Sequence, residues 1–439
     1  MEHNKPYWKV ERTRRCGMVS MAPLLFSVRI PTWLAIWWRN FFGFEDQPHR
    51  EETPRNVIVF RLDQLGDVVL TTPLFRELKR LYPNTHCTLV VQPPYREVVS
   101  TNPNVDEILV VPDLQPKWLP KRIRRLLSAW WFYRTKLRQR RFDLAICPRW
   151  DVDESLTTML CALTNAAKRV GYTSETTQAK QKINRGFDAA FDIVLPAGPV
   201  CHEVDRNLAI VKALGGSVGS HNPDIRLTPT DRRFANQFLK NRERRRMLVA
   251  IGIGARAAGR KWPLRNYAEC IRCLDRQRPV QTVIVCSAEE NAEAVELSAM
   301  LPVSPYVLSG LLLRQVCAVL ERCDLFIGND SGAAHLAAAM DCAVVVVSRH
   351  PVNGDPNHAN SPVRFGPRRS RSQVLQPLSG EGECLSACQL AEPHCIKRVT
   401  VERVVAAIHE LLPIEATAMP STNVFMHDHL HSFVDAGSA

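Results

Sequence analysis

Nowhere does the chain string together 18 uninterrupted apolar residues. Its most apolar stretch, residues 22–44, "APLLFSVRIPTWLAIWWRNFFGF", is broken by Arg29, Pro31 and Arg39, which argues against a spanning helix. The same stretch lacks a good small-residue cleavage site, which disfavours a signal peptide. Its Trp33, Trp37, Trp38, Phe41 and Phe42 stand beside arginines, the composition of an interfacial anchor at headgroup level. The fourteen cysteines form no dense framework; Cys147, Cys161, Cys286 and Cys342 sit in strand-like and helix-like stretches, as in a protein of a reducing cytosol. The first apolar run is followed by "RLDQLGD" and not by G-x-G-x-x-G, which speaks against a nicotinamide-dependent oxidoreductase. Nor is there a zinc-finger, RNA-recognition or helix-turn-helix signature to support a nucleic-acid binder. No repeat of fixed period is visible.

What is present is basic. Against 44 Asp+Glu stand 57 Lys+Arg, a net charge of +13, so some face should attract polyanions such as nucleic acid, anionic lipid or phosphorylated sugar. The electropositive focus is 117–141, "KWLPKRIRRLLSAWWFYRTKLRQRR", with ten basic residues and no acid. At 439 residues, 45% hydrophobic and 23% charged, the chain suits two globular domains with extensions.

Apolar runs alternate with helical patterns from "NVIVFRL" through "HCTLVVQ", "VDEILVV" and "FDLAIC". The alternation restarts at "MLVAIGIG" and continues through "VQTVIVCS", "YVLSG", "DLFIGN" and "CAVVVVS". Such βαβα order implies parallel sheets. The expected organisation is a basic, apolar leader over 1–55, a Rossmann-like domain over 56–214, a turn-rich linker over 215–246, a second Rossmann-like domain over 247–412, and a weakly ordered tail over 413–439. In doubly wound domains ligands bind at the carboxyl ends of strands, so chemistry belongs in the first turns after them.

Three stretches sit there. In "RLDQLGDVVLTTP", Asp67 follows a glycine at a strand-to-helix junction, where it suits an N-cap as well as a chemical role. In "GIGARAAGRKWP", Lys261 stands at a helix entrance, where a cation opposes the dipole unless an anion also binds; a solvated lysine is the plainer reading. In "GNDSGAAHLAAAM", Asp330, Ser331 and Gly332 open a helix whose free amides suit a phosphate. His335 lies four residues past Ser331 on the same face. Asp151-x-Asp153 precedes a helix, which favours capping over a metal pair. Cys384, Cys388, His394 and Cys395 are spaced so that they could ligate zinc, or stand as reduced or paired thiols. Cys270-x-x-Cys273 lies in a helical pattern and reads as packing.

Together "GDVVLTTPLFRELKRLYPN", the "KWP" stretch and "GNDSGAAHLAAAM" resemble, in order and spacing, the ADP-heptose lipopolysaccharide heptosyltransferases, inverting enzymes of the two-domain GT-B type. The likeness spans roughly Asn56 to Val347. It implies two Rossmann-like domains facing across a cleft, and an Asp67 general base that takes a proton from the acceptor hydroxyl. It further implies that Lys261 binds the donor diphosphate, and that Glu290, Asp330, Ser331, Gly332 and His335 line the donor site. Arg122, Arg124 and Arg125 match an arginine-rich, acceptor-facing region. Trp130 and Trp131 in the same segment would touch membrane, against the plainer reading of a solvated basic helix. No cofactor or catalytic metal is implied; the expected partners are ADP-heptose, a phosphorylated lipopolysaccharide core and the cytoplasmic face of the inner membrane. Departures are the long leader, Cys286 in place of a glycine before Glu290, and "RHPVNGDPNHANSP" in place of a Gly-Thr-x-Pro run. They leave open another nucleotide sugar, or a non-catalytic binder of anionic lipid or polysaccharide on the same fold.

Overall fold

The structure, a computed structural model, describes residues 32–37, 53–114, 118–369, 371–380, 384–385, 387–388 and 390–412. The expected tail over 413–439, and the leader apart from 32–37 and 53–55, lie outside them.

Two six-stranded sheets make up the body. The first holds β1 (Asn56–Arg61), β2 (His86–Val91), β3 (Glu107–Val110), β4 (Arg141–Cys147), β5 (Asn165–Tyr172) and β6 (Ile193–Leu195), in the order β3-β2-β1-β4-β5-β6. The second holds β7 (Met247–Gly252), β8 (Val280–Cys286), β9 (Tyr306–Ser309), β10 (Leu325–Asn329), β11 (Ala343–Val347) and β12 (Ser372–Leu375), in the order β12-β11-β10-β7-β8-β9. Every pairing is parallel. Helices cover both faces of a parallel sheet, so its strands become continuous apolar runs; β7, β10 and β11 are buried at every position. Each such Val, Ile or Phe contributes roughly 1.5–3 kcal/mol through burial.

Both sheets share one winding, and in both the order reverses beside the first strand of the half. The switch points therefore fall between β1 and β4 and between β7 and β10, where doubly wound folds open a crevice.

The helices that matter are α1 (Leu65–Leu81), α2 (Lys121–Phe132), α3 (Glu203–Ala213), α4 (Pro229–Phe238), α5 (Leu264–Asp275), α6 (Asn291–Met300), α7 (Leu313–Leu320), α8 (Gly332–Ala339) and α9 (Val401–Leu411). The sequence "TTP" explains how α1 tolerates an internal Pro73. Proline cannot donate to the carbonyl four residues back, and the Val69 carbonyl instead accepts from Thr72 Oγ1 at 2.7 Å. Helix α1 buries Val68, Val69, Leu74, Phe75 and Leu78 in the core and packs along α3.

Between the sheets, the chain first lies on α1: the Gly219 and Ser220 amides donate to Glu77, and the Asp224 amide to Thr72. It then enters α4, which packs on α7 and pairs Arg232 with Glu321. The halves also touch directly where α1 meets α8. Residues 32–37 form a short helix that contributes Ala35 and Ile36 to the core cluster of Phe60, Ala129 and Phe132. Among the described residues no helix is long and apolar enough to cross a membrane.

Candidate active site

The carboxyl end of β1 carries Arg61, the turn after it carries Asp63, and the first turn of α1 carries Asp67. Asp67 is the third residue of α1 and not its N-cap: Gln64 holds the cap position, and its amide donates to Asp67 Oδ2 at 3.1 Å. The capping reading is thus correct in kind but displaced by three residues, and it uses one carboxylate oxygen. The other lies 3.5 Å from Arg61 Nη2.

Arg61 is buried and also meets Asp63 at 3.5 Å and Glu203 at 3.2 Å. Arg149, from the turn after β4, reaches Asp63 at 2.8 Å. Burial works against the charge of Arg61, but Asp63, Asp67 and Glu203 outweigh it and hold its pKa above the ordinary value. For Asp67 burial dominates: it pushes the carboxyl up to about 6, against the pull of Arg61 and with a further push from Asp63. A carboxylate with a pKa near neutrality can both hold and release a proton at working pH.

Glu203 balances burial with Arg61, Arg364 and Arg206, and its pKa stays below the ordinary value. Arg364 comes from the other half. It pairs with Asp151 at 2.6 Å and lies over the Trp150 ring, which Arg206 also covers. Asp151 is therefore an inter-half anchor. Asp153 accepts from the amides of Ser155, Thr157 and Thr158, as expected of a cap for the following helix.

At the second switch point, Asn329 ends β10 and clamps the turn after β7: its Oδ1 accepts from the Trp262 amide and the Tyr267 hydroxyl, and its Nδ2 donates to the Ile253 carbonyl. Arg260 in that turn donates to Asp330 Oδ2 at 2.6 Å. Lys261 lies between Glu293 at 2.7 Å and Glu290 at 3.3 Å. Its partial burial disfavours charge, but the hydrogen bond to Glu293 and the field of Glu290 prevail, so its pKa is raised. The structure thus brings together Lys261 with Glu290, and Asp330 with Ser331, Gly332 and His335. A depression of about 410 Å³ beside Lys261 is lined by Trp262, Leu264, Glu293 and Met300.

Ser331 is the N-cap of α8, and its buried hydroxyl has no hydrogen-bond partner. His335 is buried with Nδ1 equally unpartnered, and burial lowers its pKa to about 4. At neutral pH it is an uncharged imidazole. Both atoms are thus available for hydrogen bonding at the start of α8.

The two helix ends face each other at contact distance. A methyl group placed on Gly66 would lie 2.7 Å from His335 Cδ2, and one on Gly332 would lie 2.8 Å from Leu65 Cδ2. Asp67 is next in chain to Gly66, so it lies in the first turn of the helix whose start packs on α8.

Arg122, Arg124 and Arg125 lie on α2. Arg124 pairs with Asp113 at 3.1 Å, and Arg125 donates to the Glu154 carbonyl at 3.3 Å. The basic segment is an amphipathic helix. It buries Ser128, Ala129 and Phe132 while Ile123, Leu126, Leu127, Trp130 and Trp131 are exposed. Cys270 is packed in the second core. Among the described residues, the group of side chains close enough to hold a metal is Cys384, Cys388, His394 and Cys395, not the cleft acids.

Sequence reasoning missed Arg61, Asp63, Arg149, Glu203, Arg260, Glu293 and Arg364. Arg61, Asp63, Arg149 and Arg260 lie on or just after the strands flanking the switch points, so the strand-end rule that singled out Asp67 and Lys261 reaches them too. Glu203 and Arg364 left no such signal, since only tertiary structure brings them to Arg61.

A profile of glycosyltransferase family 9 (heptosyltransferase) matches residues 130–349. The chain is 24% identical over 370 residues to the lipopolysaccharide core heptosyltransferase OpsX of Haemophilus influenzae, covering 82% of this chain and 98% of that one. It is likewise 24% identical to lipopolysaccharide heptosyltransferase 2 of Salmonella typhimurium, over 82% of this chain and 99% of the relative. Among solved structures, a family 9 glycosyltransferase from Veillonella parvula superposes with TM-score 0.64 at 20% identity, over 84% of this chain and 99% of its own. The E. coli heptosyltransferase WaaC with ADP superposes with TM-score 0.60 at 19% identity, over 81% and 99%.

Proposed function

We propose, for a chain that belongs to glycosyltransferase family 9 and is a glycosyltransferase, that the group it moves is a heptose, the donor ADP-heptose and the acceptor a phosphorylated lipopolysaccharide core sugar. The observation that carries this reading is the contact between the start of α1, which bears Asp67 with its pKa near 6, and the start of α8, which bears Ser331 and His335.

Asp67 is the general base. The acceptor hydroxyl passes its proton to the carboxylate while its oxygen attacks the anomeric carbon on the face opposite the diphosphate. The bond from that carbon to the diphosphate oxygen breaks, ADP leaves with the electron pair, and the configuration inverts through an oxocarbenium-like state. Arg61 and Arg149 keep Asp67 aimed and moderate its pKa. On the donor side, the free amides of α8, Ser331, Arg260 and Lys261 receive the diphosphate and stabilise its growing charge, and preorganised dipoles and cations suffice for that. Glu290 and Glu293 hold Lys261 beside the nucleoside. Neutral His335 offers Nδ1 as a hydrogen-bonding atom without repelling Arg260.

The acceptor is a membrane lipid's head, and α2 suits that partner. With Trp33, Leu34 and Trp37 exposed on the helix over 32–37, the exposed face of α2 combines large apolar side chains with lysines and arginines, as interfacial helices do. Arg122, Arg124 and Arg125 lie at the start of α2, where they would meet acceptor or lipid phosphates. The protein accordingly works at the cytoplasmic surface of the inner membrane.

The test is to incubate the protein with a panel of nucleotide sugars and phosphorylated core acceptors and to read products by mass spectrometry. The expected product is the acceptor plus one heptose, formed from ADP-heptose. Transfer from a different nucleotide sugar would overturn the donor assignment, and tight donor binding without transfer would overturn the catalytic reading.

A further inference from the structure

The segment between β12 and α9 includes a single turn over Cys395–Arg398, and its described residues lie close to the donor side of the cleft. Its centre is a group that the proposed reaction does not use. Cys384, Cys388 and Cys395 are buried together, His394 covers them from the solvent side, and the four ligand atoms all lie within 4.8 Å of one another. His394 Nδ1 is 3.3 Å from Cys395 Sγ. Ligands on a tetrahedral zinc ion, with bonds of about 2.3 Å to sulfur, are separated by roughly 3.8 Å, so the group matches a zinc shell after a slight contraction.

We propose that Cys384, Cys388, His394 and Cys395 bind one structural zinc ion. A disulfide would use two of the thiols and strand the third in the same buried cluster, and it would give the converging imidazole no role. Three thiolates and one imidazole account for all four side chains and close the coordination sphere, as structural zinc sites do. Metal binding at such a site couples to the folding of the segment that carries the ligands.

The site also backs the donor-side turn. The carbonyls of Leu390 and Ala391 press so closely on Gly259 that a methyl there would lie 2.5 and 2.7 Å from them. Arg349 donates to the Leu390 carbonyl at 3.3 Å, and the Trp262 indole donates to the Val399 carbonyl at 2.9 Å. Zinc would thereby fix the backbone that carries Arg260 and Lys261, a consequence that rests on the donor reading, whereas the metal assignment does not.

The experiment is elemental analysis of the full-length protein purified without chelator, together with Cys384→Ser and Cys395→Ser. About one zinc per chain is expected in the wild type and a clear loss in both variants. Should the variants fail to fold, the wild type stripped of metal and titrated with Co²⁺ keeps the test open: thiolate-to-cobalt charge transfer and tetrahedral visible bands are expected. Wild-type protein with little zinc whose stripped form gives no such spectrum, one iron per chain in zinc's place, or a Cys–Cys disulfide in the intact mass would each overturn the assignment.

Discussion

The two helix ends that face each other in the cleft are built in opposite ways. At the start of α1 the charged groups are matched: Asp67 and Asp63 face Arg61 and Arg149, and Glu203 joins Arg61 to Arg364. At the start of α8 two buried polar atoms, Ser331 Oγ and His335 Nδ1, lack hydrogen-bond partners. The first end pairs its charges with one another, although Asp63 Oδ2 and Glu203 Oε2 there make ion pairs without a hydrogen bond, and it keeps one carboxylate adjustable; the second offers uncharged polar atoms to what binds there. Base and leaving-group site are thus separable, and substitutions should affect them separately.

The largest effect is expected from Asp67→Asn. Asparagine can still accept the Gln64 amide hydrogen bond, so the cap survives while the base is lost. Turnover should fall ~10²- to 10⁴-fold, with ADP affinity nearly unchanged. A cap alone is worth about 1 kcal/mol of stability, so a variant that is folded, binds ADP and is inactive separates the two roles of this residue. Wild-type turnover would end the base assignment. The pH dependence gives an independent check. Only the ionised carboxylate accepts a proton, so kcat/KM should rise as pH rises through about 6, and the Asn variant should lose that limb. Stability should run the other way. Because the folded pKa lies above the ordinary 3.8, the stability this group contributes is full below that value and is lost as pH rises through about 6. Thermal melts of the Asn variant should therefore decline less over that window than those of the wild type.

Next is Gly66→Ala. The added methyl would meet the His335 ring at 2.7 Å, and a buried ring packed at a helix junction has nowhere to retreat. The two ends should be pushed apart, and a shift of about 1 Å can cost up to ~10²-fold in rate. The expected signature is a fall in kcat accompanied by weaker ADP binding, since the ring that is displaced, His335, belongs to the donor side. Unchanged kcat would mean that the contact between the ends is not the productive geometry. Lys261→Ala should act on donor binding alone. It removes a charged donor, worth about 1.5–3 kcal/mol, and ADP affinity measured by calorimetry should fall roughly 10- to 100-fold. If affinity holds, Arg260 and the α8 amides carry the diphosphate without it.

The same asymmetry explains what the sequence made legible. Parallel winding, the strands near the centre of each sheet and the strand-end placement of Asp67, Lys261 and Asp330 follow from apolar runs that must be buried on both faces. The strands that escaped notice lie elsewhere: β5 carries Lys168 and Arg169 within "NAAKRVGY", β6 is three residues long, and β12 is four half-buried residues in a Pro- and Arg-rich stretch. None has the periodicity of a buried strand. The donor side was readable because its residues lie in short contiguous turns. The acceptor side was not, because Arg61, Arg149, Glu203 and Arg364 are scattered over 304 positions and converge only through the sheet order and the contact between halves. Asp67 stood out by its position, while its raised pKa depends on neighbours that the local sequence does not name.

The smallest effect should lie furthest from the cleft. Replacing Trp130 and Trp131 by serine removes two exposed rings, 55% and 42% accessible, from the basic face of α2 without touching its buried residues Ala129 and Phe132. Each ring has only part of its area to lose to a bilayer, so vesicle binding should weaken roughly tenfold, with turnover on a short water-soluble acceptor unchanged. Flotation with anionic vesicles should show the loss, and added salt should weaken wild-type binding further by screening the arginines. Equal flotation of both proteins would make α2 a solvated basic helix and return Trp130 and Trp131 to plain surface residues. Weaker flotation with intact turnover would separate delivery of the acceptor from the chemistry between α1 and α8.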